Sequence, residues 1–341
     1  MDKHTIVLIP GDGIGPEVSA AVLSVLSAAD APLLFEEHHA GVAALEAHGE
    51  VLPEATIAAV REHRVALKGP CTTPVGKGFS SVNVQLRRKL ELYGAVRPAR
   101  NLAGVETRFS EVDIIVVREN TEGLYSGIEN EVTPGVVTSM KVATEKGCDR
   151  IAKFAFEYAR SRDRKRVTVF HKANIMKLTD GMFLRRARLM HENYRDVELD
   201  DRIIDAGCMR LVQDPSQFDV LLLENLYGDV VSDLCAGLVG GLGVLPGANF
   251  GENGAIFEAV HGSAPDIAGK GVANPLAFLM SAVMMLNHLA DTRKDPRCKE
   301  ASDRIKAAYN AALAAGEKTA DLGGSLNTQG FVDALRARLE A

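Results

Sequence analysis

The chain has 341 residues, 46% of them hydrophobic and 25% charged, enough for about two domains with full cores and unlike a disordered or collagen-like protein. Lys and Arg number 39 against 45 Asp and Glu, a net charge of −6, which excludes the broad basic footprint of a general nucleic-acid or anionic-membrane binder. Any anionic ligand must therefore meet a local cluster of positive charge.

In chain order, residues 5–10 (TIVLIP) predict a buried strand, and Pro16 then opens a helix over 17–29. A helix over 53–62 and a strand over 65–67 follow. Residues 113–117 predict another buried strand, and 123–144, Gly-punctuated and β-branched, a β-rich arm. Beyond it come a helix over 150–160, a strand over 166–170, a helix over 180–192, a strand over 219–223 and a helix over 229–238. Alternating strands and helices predict parallel α/β architecture. The longest apolar stretch, 276–286, falls well short of the ~18 residues of a membrane span. The five cysteines form no C-x-x-C pair and the N-terminal apolar run is too short for a signal peptide, so a reducing cytosol is expected.

Four groups of residues invite chemistry. Gly11-Asp-Gly-Ile-Gly15 follows a strand and opens a helix, but its third Gly comes one residue too early for a dinucleotide fingerprint and no Lys-Ser/Thr follows. A tight structural turn is favoured, with Gly supplying positive φ and close packing. Six arginines lie between 87 and 118; Arg118 ends a buried strand, where α/β proteins bind ligands, and converging guanidinium groups suit a polycarboxylate. Asp229 and Asp233, spaced i,i+4 at a predicted helix start, share a face and repel each other. A divalent cation with oxygen ligands would relieve that repulsion, although an N-cap at Asp229 explains it as simply. Lys172 follows the strand 166–170, at another carboxyl end, and Asp205 is a possible third acidic ligand.

PGDGIGPE, GPCTTP, SVNVQLRRKLELYGAVRP, RENTEGLYSG, HKANIMK, NLYGDVVSD and HGSAPDIAG occur in this order along nearly the whole chain. Together they resemble the isocitrate/isopropylmalate dehydrogenase family of metal-dependent β-decarboxylating dehydrogenases, and within it the NAD-dependent members that oxidise isocitrate. The resemblance implies two α/β domains with a β-rich dimerisation arm and no Rossmann fold. The large domain would comprise residues 1–93 and 241–341, and the small one 94–240.

It also implies roles. Arg87, Arg97 and Arg118 would hold substrate carboxylates, with Ser81 and Asn83 on the carboxylate that distinguishes isocitrate from isopropylmalate. Asp205, Asp229 and Asp233 would ligate Mg²⁺ or Mn²⁺, Lys172 would be the base and Tyr125 the general acid. Lys172 and Asp205 would come from the neighbouring subunit of a homodimer. Thr73, Asn174, Glu258, His261, Gly262, Ala264, Asp266, Ile267, Asn274 and Asp321 would contact NAD. An acidic Asp266 suits ribose hydroxyls and would repel a 2′-phosphate. Homoisocitrate or isopropylmalate as substrate, or a regulatory subunit of a hetero-oligomer, are the alternatives.

Overall fold

A computed structural model describes residues 3–73 and 79–340; Pro74, which ends the GPCTTP motif, lies outside them. The chain opens with β1 (His4–Ile9), α1 (Gly15–Ala28), β2 (Leu33–Glu37), α2 (Val42–His48), α3 (Glu54–His63), β3 (Val65–Lys68) and α4 (Val82–Lys89). It continues with β4 (Gly94–Arg100), β5 (Asp113–Glu119), β6 (Gly123–Thr133), β7 (Val136–Val142), α5 (Glu145–Ser161), β8 (Arg166–His171) and α6 (Thr179–His191). Then come β9 (Glu198–Ile203), α7 (Ile204–Gln213), β10 (Val220–Leu223), α8 (Asn225–Val239), β11 (Pro246–Phe250), β12 (Ala255–Ala259), α9 (Leu276–Arg293), α10 (Pro296–Ala314) and α11 (Thr328–Leu339).

The chain divides into two units. The first comprises Met1–Leu90, Asn101–Arg108 and Val239–Ala341, the second Glu91–Arg100 and Phe109–Leu238. Residues 101–108 thus group with the first unit, although they lie inside the span the sequence assigns to the small domain.

In the first unit the strands run in the order β2-β1-β3-β12-β11, parallel except for the antiparallel pair β11–β12. The buried side chains of β1 and β3 explain their unbroken apolar runs, since a parallel strand is covered on both faces. Helix α9 is buried on nearly every side and forms the middle of this core.

The second unit orders its strands β4-β5-β10-β8-β9, with β4 antiparallel to β5 and the others parallel. Each unit mixes strand directions, where the alternation of elements predicts a parallel arrangement. The reversed strands β4 and β11 each contain a proline, which hides them from a strand pattern. Helix α5 buries Ile151, Ala155, Phe156 and Ala159 along one stripe, and its N-cap Thr144 accepts the Gly147 N–H at 3.0 Å. β6 and β7 pair as a separate antiparallel hairpin. Beyond its root that hairpin exposes Ile128, Val132, Val136, Val137 and Met140.

Candidate active site

Arg118 ends β5 and is almost completely buried. A guanidinium taken out of water needs its donors satisfied, and α8 supplies the acceptors. Asn225 Oδ1 accepts from Nε at 3.1 Å and Nη2 at 2.7 Å, and Asp229 accepts from Nη1. Gly228 allows the approach, because a Cβ there would lie 2.5 Å from Arg118 Cγ. Arg97, on β4, donates through Nη1 to Asp229 at 3.3 Å and to Ser232 Oγ at 2.5 Å. Tyr125, on β6, donates its phenol to the second Asp229 oxygen at 2.6 Å. Burial first, then Asp229, pushes that phenol up from its ordinary pKa, so it stays protonated at neutral pH. Two arginines, a protonated phenol and a carboxylate thus meet on one helix.

Helix α8 begins at Asn225, one turn before the start the sequence predicts, so Asp229 is not its N-cap. Glu224 takes up the first free N–H groups instead, accepting from Leu226 at 3.3 Å and Tyr227 at 3.1 Å. Asp233 lies one turn beyond Asp229, and Arg97 approaches it to 3.8 Å. Much of the positive charge that the i,i+4 repulsion demands is therefore supplied by arginine, and repulsion alone does not require a metal. A different observation makes the pair fit one. The Asp233 carboxyl is pushed up, by burial and by the Asp229 charge, despite the opposing Arg97 and Arg118, and its side chain is 58% exposed. An accessible carboxylate one helical turn from a second one suits a hard divalent cation.

Lys172 follows β8, and its ammonium donates to Asp205, near the start of α7, at 2.6 Å. That bond holds the Asp205 carboxyl below its usual range. Within one chain Asp205 does not join Asp229 and Asp233 in a group of ligand atoms within 4.8 Å of one another. Among the described residues only His4, Asp295 and Cys298 form such a group. There Arg297 donates to both Asp295 oxygens and Arg293 faces His4, so positive charge already fills that place. Asn174 is exposed in the turn after β8.

The remaining predicted residues lie in the first unit. Ser81 stands at the head of α4 without a side-chain cap bond, and the Asn83 Oδ1 is buried without a hydrogen-bond partner. Arg87, buried on the same helix, lies 3.6 Å from Glu258. Glu258 turns inward: Lys68 donates to one oxygen at 2.6 Å and Asn249 to the other at 2.8 Å. Burial pushes its carboxyl up, but the Lys68 and Arg87 charges and these bonds outweigh that and hold it at about 2. The sequence offers no sign of this buried cluster, because Lys68 reads as the polar end of a strand.

The Gly11–Gly15 turn is packed shut. A Cβ at Gly11 or Gly13, both at positive φ, would lie 2.0 Å from the Pro70 or Ser263 carbonyl oxygen. The buried Asp12 carboxylate inside the turn would also repel a phosphate. The loop after β12 is more open. His261 Nε2 is buried without a partner, while a Cβ at Gly262 would meet nothing within 4 Å. Ala264 holds φ at +38°, a strained value for a residue with a Cβ. Asp266 is exposed and Ile267 half-buried, while Asn274 donates to Asp321 at 2.9 Å. An orphaned imidazole nitrogen, an open glycine and exposed carboxylates suit a ribose-bearing ligand. Thr73 is exposed at the end of the first described stretch.

Comparison with known proteins agrees with this geometry. The profile of the family described as isocitrate/isopropylmalate dehydrogenase matches residues 5–335. The mitochondrial alpha subunit of an NAD isocitrate dehydrogenase from Macaca fascicularis is 48% identical over 341 residues, covering 99% of this chain and 96% of that one. Catalytic subunit 5 of the mitochondrial NAD isocitrate dehydrogenase of Arabidopsis thaliana is 49% identical over 333 residues, or 97% and 87% of the two chains. The crystal structure of isocitrate dehydrogenase from Methylococcus capsulatus superposes with a TM-score of 0.94 at 47% identity, covering 99% of this chain and 100% of that one.

One expectation is overturned. The sequence predicts a cytosolic protein, whereas these eukaryotic relatives, with another from Drosophila melanogaster, are named as mitochondrial. All five cysteines are free thiols, and free thiols do not single out the cytosol. No helix among the described residues is long and apolar enough to cross a membrane.

Proposed function

The chain belongs to the isocitrate/isopropylmalate dehydrogenase family, and from that premise we propose that it oxidises isocitrate with NAD and releases CO₂ to give 2-oxoglutarate. The observation that carries the reading is the convergence of Arg97, Arg118 and Tyr125 on Asp229. Buried, pre-aimed guanidinium groups bind carboxylates in two-pronged fashion, and a polycarboxylate needs several of them. Ser81 and the unpartnered Asn83 oxygen favour a polar substituent over an isopropyl group. Asp266 and the names of the NAD-dependent relatives favour NAD over NADP.

In this reading Arg97 and Arg118 hold the substrate's carboxylates against α8. Lys172, oriented by Asp205 and having first given up its own proton to solvent, takes the proton of the C2 hydroxyl as a neutral amine. Tyr125, whose phenol keeps its proton, delivers one to C3 after carbon dioxide leaves. Asp229 and Asp233 would hold a divalent cation, Mg²⁺ or Mn²⁺, which when bound supplies positive charge for the oxygen on C2. His261, Asp266 and Asn274 would orient NAD, which accepts the hydride. That Asp205 does not group with Asp229 and Asp233 in one chain supports a site in which the third ligand and Lys172 are supplied by a second subunit. The exposed apolar side chains of the β6–β7 hairpin suit such an association, and the relatives are themselves named as subunits. Retention of Lys172, Tyr125 and all three aspartates speaks against a purely regulatory role.

The test is reduction of NAD and of NADP by the purified chain with Mn²⁺ and isocitrate, homoisocitrate or isopropylmalate. NADH formed with isocitrate, and lost on chelation, is the expected result. Preference for isopropylmalate, or full activity in thoroughly chelated protein, would refute the reading.

A further inference from the structure

The sequence singles out PGDGIGPE, yet no phosphate enters that closed turn. We propose that the turn is a positioning element for the cofactor-binding loops, acting through Asp12 and Glu17; this rests on the NAD reading above. Asp12 accepts the Thr72 N–H through Oδ2 at 3.0 Å, fixing the residue next to Thr73. The same carboxylate accepts from the N–H groups of Val42 and Ala43, both at 3.0 Å, and so is anchored on α2. Ile14 N–H donates to the Ser263 carbonyl at 2.8 Å, and the Thr72 and Ser263 hydroxyls bond each other at 2.7 Å. Ser263 stands between Gly262 and Ala264, within the open loop after β12.

Glu17, in the first turn of α1, holds a third stretch. Its carboxylate accepts from Gly271 N at 3.3 Å, Ala273 N at 3.2 Å and Thr328 Oγ1 at 2.7 Å. Ala273 is the neighbour of Asn274. A single turn therefore fixes the residues adjoining Thr73, Gly262, Ala264 and Asn274 through two carboxylates and one backbone bond. Charged acceptors bond backbone N–H groups more strongly than neutral ones, and removing them leaves those donors to be satisfied by rearrangement. Loops so released must be ordered again whenever NAD binds, which weakens affinity without touching the substrate groups.

The test compares Glu17→Ala, Glu17→Gln and a Thr72→Val/Ser263→Ala pair with the wild-type chain. It reads NADH affinity by fluorescence, the KM values for NAD and isocitrate, kcat and thermal stability. Loss of the Glu17 carboxylate is expected to weaken NADH binding roughly tenfold or more, given the usual strength of charge-assisted bonds. The isocitrate KM and the kcat at saturating NAD should stay within about twofold to threefold. Glu17→Gln, which keeps an acceptor oxygen, should recover most of the affinity, and the hydroxyl pair should weaken NADH binding with no buried charge disturbed. A folded Glu17→Ala protein with a lowered melting temperature but wild-type NADH affinity would overturn the proposal. Should the alanine variant not fold, unchanged NADH affinity in the hydroxyl pair would overturn it equally. Failure of the wild-type chain to bind NADH would instead sink the NAD reading itself.

Discussion

Lys68 with Glu258, in the first unit, and Arg118 with Asp229, in the second, are both buried cations held against a carboxylate. They differ on the carboxylate side. The Glu258 side chain is 10% exposed, whereas that of Asp229, which also accepts from protein neighbours through both oxygens, is 37% exposed. A sealed pair is worth most to the folded state, because removing one partner strands a charge without water. On the proposed function, a half-open pair can exchange its carboxylate for that of a ligand, so the same chemistry would serve as a binding site. Residue type alone does not separate the two roles; the exposure of the acidic partner does.

The largest effect is expected at Glu258. Glu258→Gln strands Lys68 and should cost about 3–5 kcal/mol of stability, measured by denaturant unfolding, with little change in the KM for NAD. Its pH dependence has a definite sign. The folded carboxyl, at about 2, lies below its ordinary value of 4.5, so the pair's contribution is complete above pH 4.5 and is lost as the pH falls towards 2. The variant should lack that component of acid unfolding. A large rise in NAD KM with unchanged stability would place Glu258 in the cofactor site after all.

On the half-open side, Tyr125→Phe should lower overall turnover by about a hundredfold, the usual scale for losing a general acid. Reduction of added oxalosuccinate should survive better, and equal loss in both assays would make Tyr125 positional only. Because its phenol is pushed above the ordinary value, wild-type turnover should not fall through loss of this proton below about pH 10. A smaller effect is expected at Gly228. A Cβ there would come 2.5–2.6 Å from the Arg118 side chain, and Gly228→Ala should raise the isocitrate KM roughly tenfold as Arg118 shifts. Alanine favours the helix, so stability should not explain that change. An unaltered KM would take Arg118 out of substrate binding.

The elements that were legible in the sequence are those whose side chains obey one rule throughout. The buried strands β1, β3, β5 and β10 read as short apolar runs, and Arg118 could be placed at a strand end before any coordinates. Strand β4 was hidden by Pro98, and β9 (ELDDRI) by its charges. Helix α8 was dated one turn late because Glu224 and Asn225 read as loop residues, though they cap the helix and hold Arg118. The ion pair of Lys68 with Glu258 joins residues 190 positions apart, and no local pattern reports such a meeting. The motif PGDGIGPE reads as a tight turn, but the backbone partners of its two carboxylates, at Thr72 and Ala273, lie far along the chain, where no local pattern reports them.

In the proposed mechanism Lys172 and Asp205 of one subunit complete the site built on Asp229 of another. Mixing two inactive chains, Lys172→Met and Asp229→Asn, under conditions of subunit exchange tests it most directly. In a two-fold dimer each mixed pair keeps one intact site, so an equal mixture should recover about a quarter of wild-type NADH production from isocitrate. No recovery, in mixtures shown to have exchanged subunits, would contradict it.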